Sequence, residues 1–265
     1  MPDRNLFRHL ADSAERVPER AAIAYYGREL DFSELHEAAL RLAGYLQQHL
    51  GVARGDRVTL LAQNCPQFLV AYFAILRCDA TVVAVNPMST AEEIAYYATD
   101  AGSRIVVTMQ DHFPSVAPLL RDGRIHGCVV GAYRDFAGAP EDVPFLVVPP
   151  FVSAQRDVPV HDGVHDFQDA LAAGIFPAPM RSGGPDLAVL AYTSGTTGKP
   201  KGAMLSHRAL AHQVVARVRW LTDSDEHVDL LVLPLSHQAA ALMVNLAIFV
   251  GRTSHVLARW DAGNA

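Results

Sequence analysis

Between Gly55 and Ala132 the chain alternates short, mostly apolar runs with longer segments of helical pattern. The pattern predicts a strand over 57–62, a helix over 66–77, a strand over 81–85 and a helix opened by Ser89 or Thr90, with Glu92 or Glu93 three residues on as a capping partner. A strand over 104–108, a proline-interrupted helical stretch over 111–121 and a strand over 128–132 follow. Strands that recur about every 24 residues with helices between them imply right-handed crossovers. The fold class is therefore α/β, with mostly parallel sheets flanked by helices.

On the N-terminal side, Leu6, Phe7, Leu10 and Ala14 repeat at helical spacing until Pro18. Two short strands, 21–26 and 29–32, are joined at Gly27, and Ser33 is placed to cap a helix carrying Leu35, Ala39, Leu42 and Leu46 on one face until Gly51. Residues 140–185 hold eight of the sixteen prolines, so an irregular region is expected there, with 164–173 as its one helical candidate. Its apolar residues, Phe145 to Val148 with Phe151 and Val152, argue that it packs on the body instead of hanging as a linker. Further on, 187–192 and 203–205 read as strands, Ser206 as the cap of a helix over 207–220, 230–233 as a strand, 238–249 as a buried helix ended by Gly251, and 253–257 as a last strand. Asp261 reads as a further helix cap, and the apolar face of 239–249 is expected to be exposed and sticky.

At 265 residues and 50% hydrophobic content the chain can bury a sizeable core. Twenty-two basic against twenty-eight acidic residues, with no long run of one sign, give no electrostatic footprint for nucleic acid. Cys65, Cys78 and Cys128 lie in apolar surroundings without a C-x-x-C pair, which fits core thiols in a reducing, cytoplasmic setting. The N-terminus lacks the apolar core of a signal peptide. The longest apolar runs, 68–76 and 239–250, reach roughly half of the ~20 residues needed for a membrane span.

The stretch around which the chain is organised is Tyr192-Thr193-Ser194-Gly195-Thr196-Thr197-Gly198-Lys199-Pro200-Lys201-Gly202. Three glycines in eight residues would weaken a regular element, and they suit a loop whose amides approach a ligand closely. Its hydroxyls and two lysines, with no acid to neutralise them, suit a polyphosphate. A Walker A loop is excluded, because Gly195 and Gly198 are too close together and Pro200 follows Lys199. Ser194 lacks the G-x-S-x-G elbow that a hydrolase would need. His161 and His165, with Asp162 and Asp166, have a spacing that could hold a metal on a helix, but Gly163 and the surrounding prolines point to a solvated loop. No metal site is therefore assigned. His237, in Leu233-Pro234-Leu235-Ser236-His237, stands at a strand end where open α/β sheets often bind ligands, yet as an isolated residue it reads as a core histidine.

The loop resembles, without a mismatch, the phosphate-loop signature of the adenylate-forming (AMP-binding) superfamily. Gly51 to Val58 resembles the segment before the first large-sheet strand of acyl-CoA synthetases, and Gln63 to Phe68, Ala71 to Arg77 and Val85-Asn86-Pro87-Met88 are similar to bacterial medium- and long-chain fatty acid CoA ligases, with Cys78-Asp79-Ala80 departing from the commoner Ala-Gly-Ala. The resemblance covers the whole chain and implies that Thr193, Ser194, Gly195, Thr196, Thr197, Gly198, Lys199, Lys201 and Gly202 hold the phosphates of Mg2+-bound ATP. It also implies that His237 lies beside the acyl pocket. The implied reaction is attack of a carboxylate on the α-phosphate to give acyl-AMP, then displacement of AMP by CoA.

An aromatic-Gly-x-Thr-Glu segment, a ribose-binding Asp and a Lys on a mobile C-terminal domain come later in the family and have no counterpart within residues 1–265. The expectation is a partial N-terminal domain over 1–265, a missing C-terminal half and unknown catalytic residues, so that these residues alone make no acyl-CoA. The alternative is a catalytically silent remnant that binds nucleotide or a partner at most.

Overall fold

The computed structural model describes residues 3–139, 141, 143–193, 199–221 and 227–260. Helix α1 (Phe7–Arg16) leads into β1 (Ala21–Tyr25) and β2 (Arg28–Asp31), an antiparallel pair, and then into α2 (Phe32–Gln48). The cap of α2 is Asp31 and not Ser33. Its side chain accepts from the Glu34 amide while Glu34 accepts from the Asp31 amide, a capping box that starts the helix two residues before Ser33 could.

The predicted repeat follows: β3 (Arg57–Leu61), α3 (Pro66–Arg77), β4 (Thr81–Val85), α4 (Ala91–Ala101), β5 (Ile105–Met109), α5 (Phe113–Arg121) and β6 (Gly127–Gly131). Thr90, in a capping box with Glu93, opens α4. All residues of α3 from Pro66 to Leu76 are buried, because the helix lies between the sheet and α2. Val58, Leu60, Val82 and Val107 join the core on that side. Leu61, Val83, Val106 and Val130 join Ile94, Ala98, Val116 and Leu119 of α4 and α5 on the other. Burial on both faces is why these strands read as continuous apolar runs.

The proline-rich region contributes the short helix α6 (Pro150–Ser153), strand β7 (Val164–Asp166) and α7 (Phe167–Ala172). The single helix expected over 164–173 is thus two elements. Asp166 accepts hydrogen bonds from the Gln168 and Asp169 amides as the cap of α7, and the residues before it extend to pair with β6. Val152 is buried and Leu146, Val148 and Phe151 pack against the core, but Phe145 and Val147 are exposed, contrary to expectation.

The remaining elements are β8 (Leu187–Thr193), β9 (Lys201–Ser206), α8 (His207–Leu221), β10 (Asp229–Leu231), α9 (Gln238–Val250) and β11 (Ser254–Val256). Two sheets result. The larger has the order β7-β6-β5-β3-β4-β8-β9, parallel except for β9, and the smaller has the order β10-β11-β1-β2. Helix α9 packs on α1, α8 and β10, and its Ala240, Val244, Leu246 and Ile248 are buried. The exposed face expected over 239–249 is therefore largely covered. Cys65, Cys78 and Cys128 are buried free thiols, and among the described residues no helix is long and apolar enough to cross a membrane. Asp261 lies outside the described residues.

Candidate functional site

Strand β8 runs out of the large sheet beside β4 and ends at Thr193, which pairs with Lys201 at the start of the returning β9; Tyr192 pairs with Gly202. This antiparallel return fixes where the glycine loop begins and ends. Its central residues Ser194, Gly195, Thr196, Thr197 and Gly198 lie outside the described residues.

At the base of the loop the structure gives Gly202 a specific reason. A Cβ there would stand 3.3 Å from the Tyr192 ring, a tight contact that glycine avoids without a shift of the ring. The Tyr192 ring packs at 4.7 Å against Tyr97 of α4, and its hydroxyl donates to Asp100 Oδ2 at 2.6 Å. Burial, reinforced by that carboxylate, pushes the Tyr192 phenol up, so it stays protonated and keeps its bond. Lys199 and Lys201 are exposed, and the Lys199 ammonium lies 5.7 Å from the Tyr96 ring centroid.

Thr193 opens onto a cavity of about 690 Å3 at the carboxyl ends of β4 and β8. Asn86 and Ser89 before α4 and Tyr97 within it line this cavity together with Leu233, Pro234, Ser236 and His237 of the segment that leads into α9. The fold thus brings Thr193 and His237 to one space, as expected for ligand sites of open α/β sheets. His237 caps α9: its Nδ1 accepts from the Ala239 amide at 3.2 Å, which leaves the proton of the neutral ring on Nε2. It is an exposed wall residue and not a core histidine.

The turn bearing His237 is held by Asn64, at the end of β3. Asn64 donates through Nδ2 to the carbonyls of Leu233 (3.0 Å) and Leu257 (3.1 Å), and its Oδ1 accepts from the Leu235 amide at 2.8 Å. This buried amide ties the large sheet to the turn and to the end of β11. Sequence reasoning assigned it no role, although a polar pair, Gln63-Asn64, between an apolar strand and the buried helix opened by Pro66 was a signal to follow.

The His161/His165 group does not converge on a metal. His165 Nδ1 is hydrogen-bonded to the Tyr45 hydroxyl at 2.9 Å, Asp166 caps α7 and pairs with Arg156, and His161 bonds the Asp162 carbonyl at 3.1 Å.

A family model described as "AMP-binding enzyme" matches residues 10–265. The chain belongs to that family. It is 29% identical over 270 residues to a long-chain-fatty-acid–CoA ligase of Bacillus subtilis, covering 98% of this chain and 47% of the relative. A long-chain-fatty-acid–CoA ligase of Salmonella typhimurium is 31% identical over 265 residues, covering 94% of this chain and 46% of the relative. Among solved structures, apo MatB from Rhodopseudomonas palustris superposes with a TM-score of 0.77 at 27% identity, over 98% of this chain and 46% of that one. The chain spans about half the length of the curated relatives it matches.

Proposed function

We propose that this AMP-binding chain supplies the phosphate loop and one wall of the acid pocket of a carboxylic acid–CoA ligase, with fatty acids as the substrate class. In this reading residues 1–265 form part of the N-terminal domain, and the family's ribose and lysine contacts come from sequence outside them. The observation that carries the proposal is that Thr193 and His237 line one cavity, with Lys201 paired to Thr193 at the loop base.

The chemical difficulty is charge. A carboxylate must approach the α-phosphate of a polyanion, and cations and amide donors held in place before reaction lower that barrier. Lys199, Lys201 and the loop hydroxyls suit this task, and the exposed position of both lysines leaves them accessible to phosphate. Mg2+ enters on the triphosphate as part of the substrate. No group of three or more His, Cys, Asp or Glu among the described residues could hold it separately. His237, whose Nδ1 is committed to the α9 cap, serves as a wall of the acid pocket without acid or base duty.

The test is acid-dependent exchange of pyrophosphate into ATP, together with MgATP binding by the chain itself. A charge-assisted phosphate contact contributes roughly 1.5–3 kcal/mol, so Lys201→Ala is expected to weaken either readout about ten- to a hundredfold. Undiminished exchange and binding in a Lys201→Ala, Thr197→Ala double variant would remove the phosphate-loop assignment.

A further inference from the structure

Helix α4 grips both limbs of the hairpin that carries the loop. Asp100 holds the entering limb through the Tyr192 hydroxyl at 2.6 Å. Tyr96, four residues earlier and so on the same side of the helix, holds the leaving limb in two ways. Its hydroxyl donates to the Pro200 carbonyl at 2.9 Å, and its ring faces the Lys199 ammonium at 5.7 Å, within cation–π range. The ring is half-buried, so helix packing constrains it.

We propose that Tyr96 is a positioning residue for the cationic limb Lys199–Lys201 of the loop, a role that rests on the loop's binding polyphosphate. The physical argument is entropic. A lysine on its four-carbon stem samples many rotamers, and a loop carbonyl bonded to water leaves its neighbours unfixed. Holding the Pro200 carbonyl sets the backbone from which both lysines project. The ring keeps the Lys199 ammonium beside the loop until a stronger anion draws it away, so part of the ordering cost of binding is met before ligand arrives. Tyr96 itself donates to backbone and touches no phosphate in this scheme.

The experiment compares the wild-type chain with Tyr96→Phe, Tyr96→Leu and Lys201→Ala. Calorimetric titrations with MgATP and with inorganic tripolyphosphate are combined with amide hydrogen exchange at Lys199 and Lys201 and with thermal melting. Tyr96→Phe keeps the ring and loses one hydrogen bond. It is expected to speed exchange at Lys201 and weaken both ligands about fivefold, with melting nearly unchanged. Tyr96→Leu loses the cation–π contact as well and should weaken both about tenfold or more. Wild-type exchange and affinity in Tyr96→Phe would overturn the proposal, as would a lowered melting temperature with unchanged exchange at Lys199 and Lys201, the mark of a packing residue only. If Lys201→Ala binds MgATP like the wild type, the phosphate-loop reading fails. The exchange data still decide whether Tyr96 orders the limb, and they decide it equally if no variant binds.

Discussion

In the large sheet, β3 to β6 are neighbours in sequence or nearly so, and each is buried on both faces by helices that connect them. The small sheet brings together the two ends of the chain: Ile23 of β1 lies opposite Ser254 of β11, and β10 and β11 are only three residues long. Closing so long a loop costs conformational entropy that local βαβ units avoid. At the small sheet, polar contacts join these distant segments. Thr253 Oγ1 donates to the Ala21 carbonyl at 2.7 Å, Arg20 to the Gly251 carbonyl at 2.9 Å and the Ala258 amide to the Tyr26 hydroxyl at 3.2 Å; buried Arg252 pairs with Asp229 at 3.2 Å. Both sheets bury apolar side chains, but the buried side-chain bonds of the large sheet, Thr59 to Ser103 and Thr108 to the Leu61 carbonyl, join strands close in sequence, whereas those of the small sheet join the two distant segments. The small sheet should therefore be the more sensitive to changes in the groups that join those segments.

Acid should separate the two most strongly. On the small-sheet side, His9 of α1 packs edge-on to Phe249 of α9 at 4.9 Å, and neither of its ring nitrogens has a hydrogen-bond partner among the described residues. His207, where β9 of the large sheet leads into α8, accepts at 3.1 Å from the amide of Leu6, the residue before α1, and so ties α1 to that edge. Burial pulls each imidazole from 6.5 down to about 4, helped at His9 by Arg4. The folded state therefore holds both rings neutral where the unfolded chain would protonate them. Their contribution is intact above pH 6.5 and is lost as pH falls toward 4, about 3 kcal/mol for each histidine at the end of that window. Urea midpoints and hydrogen exchange from pH 7.5 to 4 should show α1, β1 and β11 opening before β3–β5. Equal loss in both sheets would break the comparison.

The next largest effect belongs to the large sheet. Phe73 is fully buried in α3, between α2 and the strands, and Phe73→Ala should cost about 3–5 kcal/mol. Because α3 packs on the central strands β3 and β4, protection should fall across both together, independently of pH over the same window. A loss confined to the small sheet would mean that α3 is not its common support.

Asn64→Ala should give the smallest and most local change. Three net hydrogen bonds of about 1 kcal/mol each are removed, giving about 2–3 kcal/mol. Exchange should quicken at Leu235 and along β11 while β3 and β4 keep their protection. Uniform quickening would show that the joint between the sheets does not depend on this side chain.

These contrasts match what could be read in advance. The bounds of α3 and β4 were legible to the residue, because Pro66 opens one and Thr81 followed by four apolar residues makes up the other. Strand β7 was not, since Val164-His165-Asp166 carries no strand pattern and is extended only because β6 offers an edge and Asp166 caps the next helix. In the site, the chemical types of Thr193, Lys199 and Lys201 were evident from their order. Tyr96 and Asn64 act across long sequence distances and resemble ordinary helix and loop residues until their partners are known.

Local sequence determined the alternation of strands and helices from Arg57 to Gly131, the two capping boxes and the family of the glycine loop, because each depends on periodicity or on neighbours within four residues. Tertiary structure alone decided that β1 and β2 form a separate sheet with β10 and β11, that β9 returns antiparallel to β8, and that the His237 turn and Thr193 line one cavity. Those outcomes depend on which distant groups satisfy one another's hydrogen bonds and bury one another's apolar faces, and no local pattern encodes that choice.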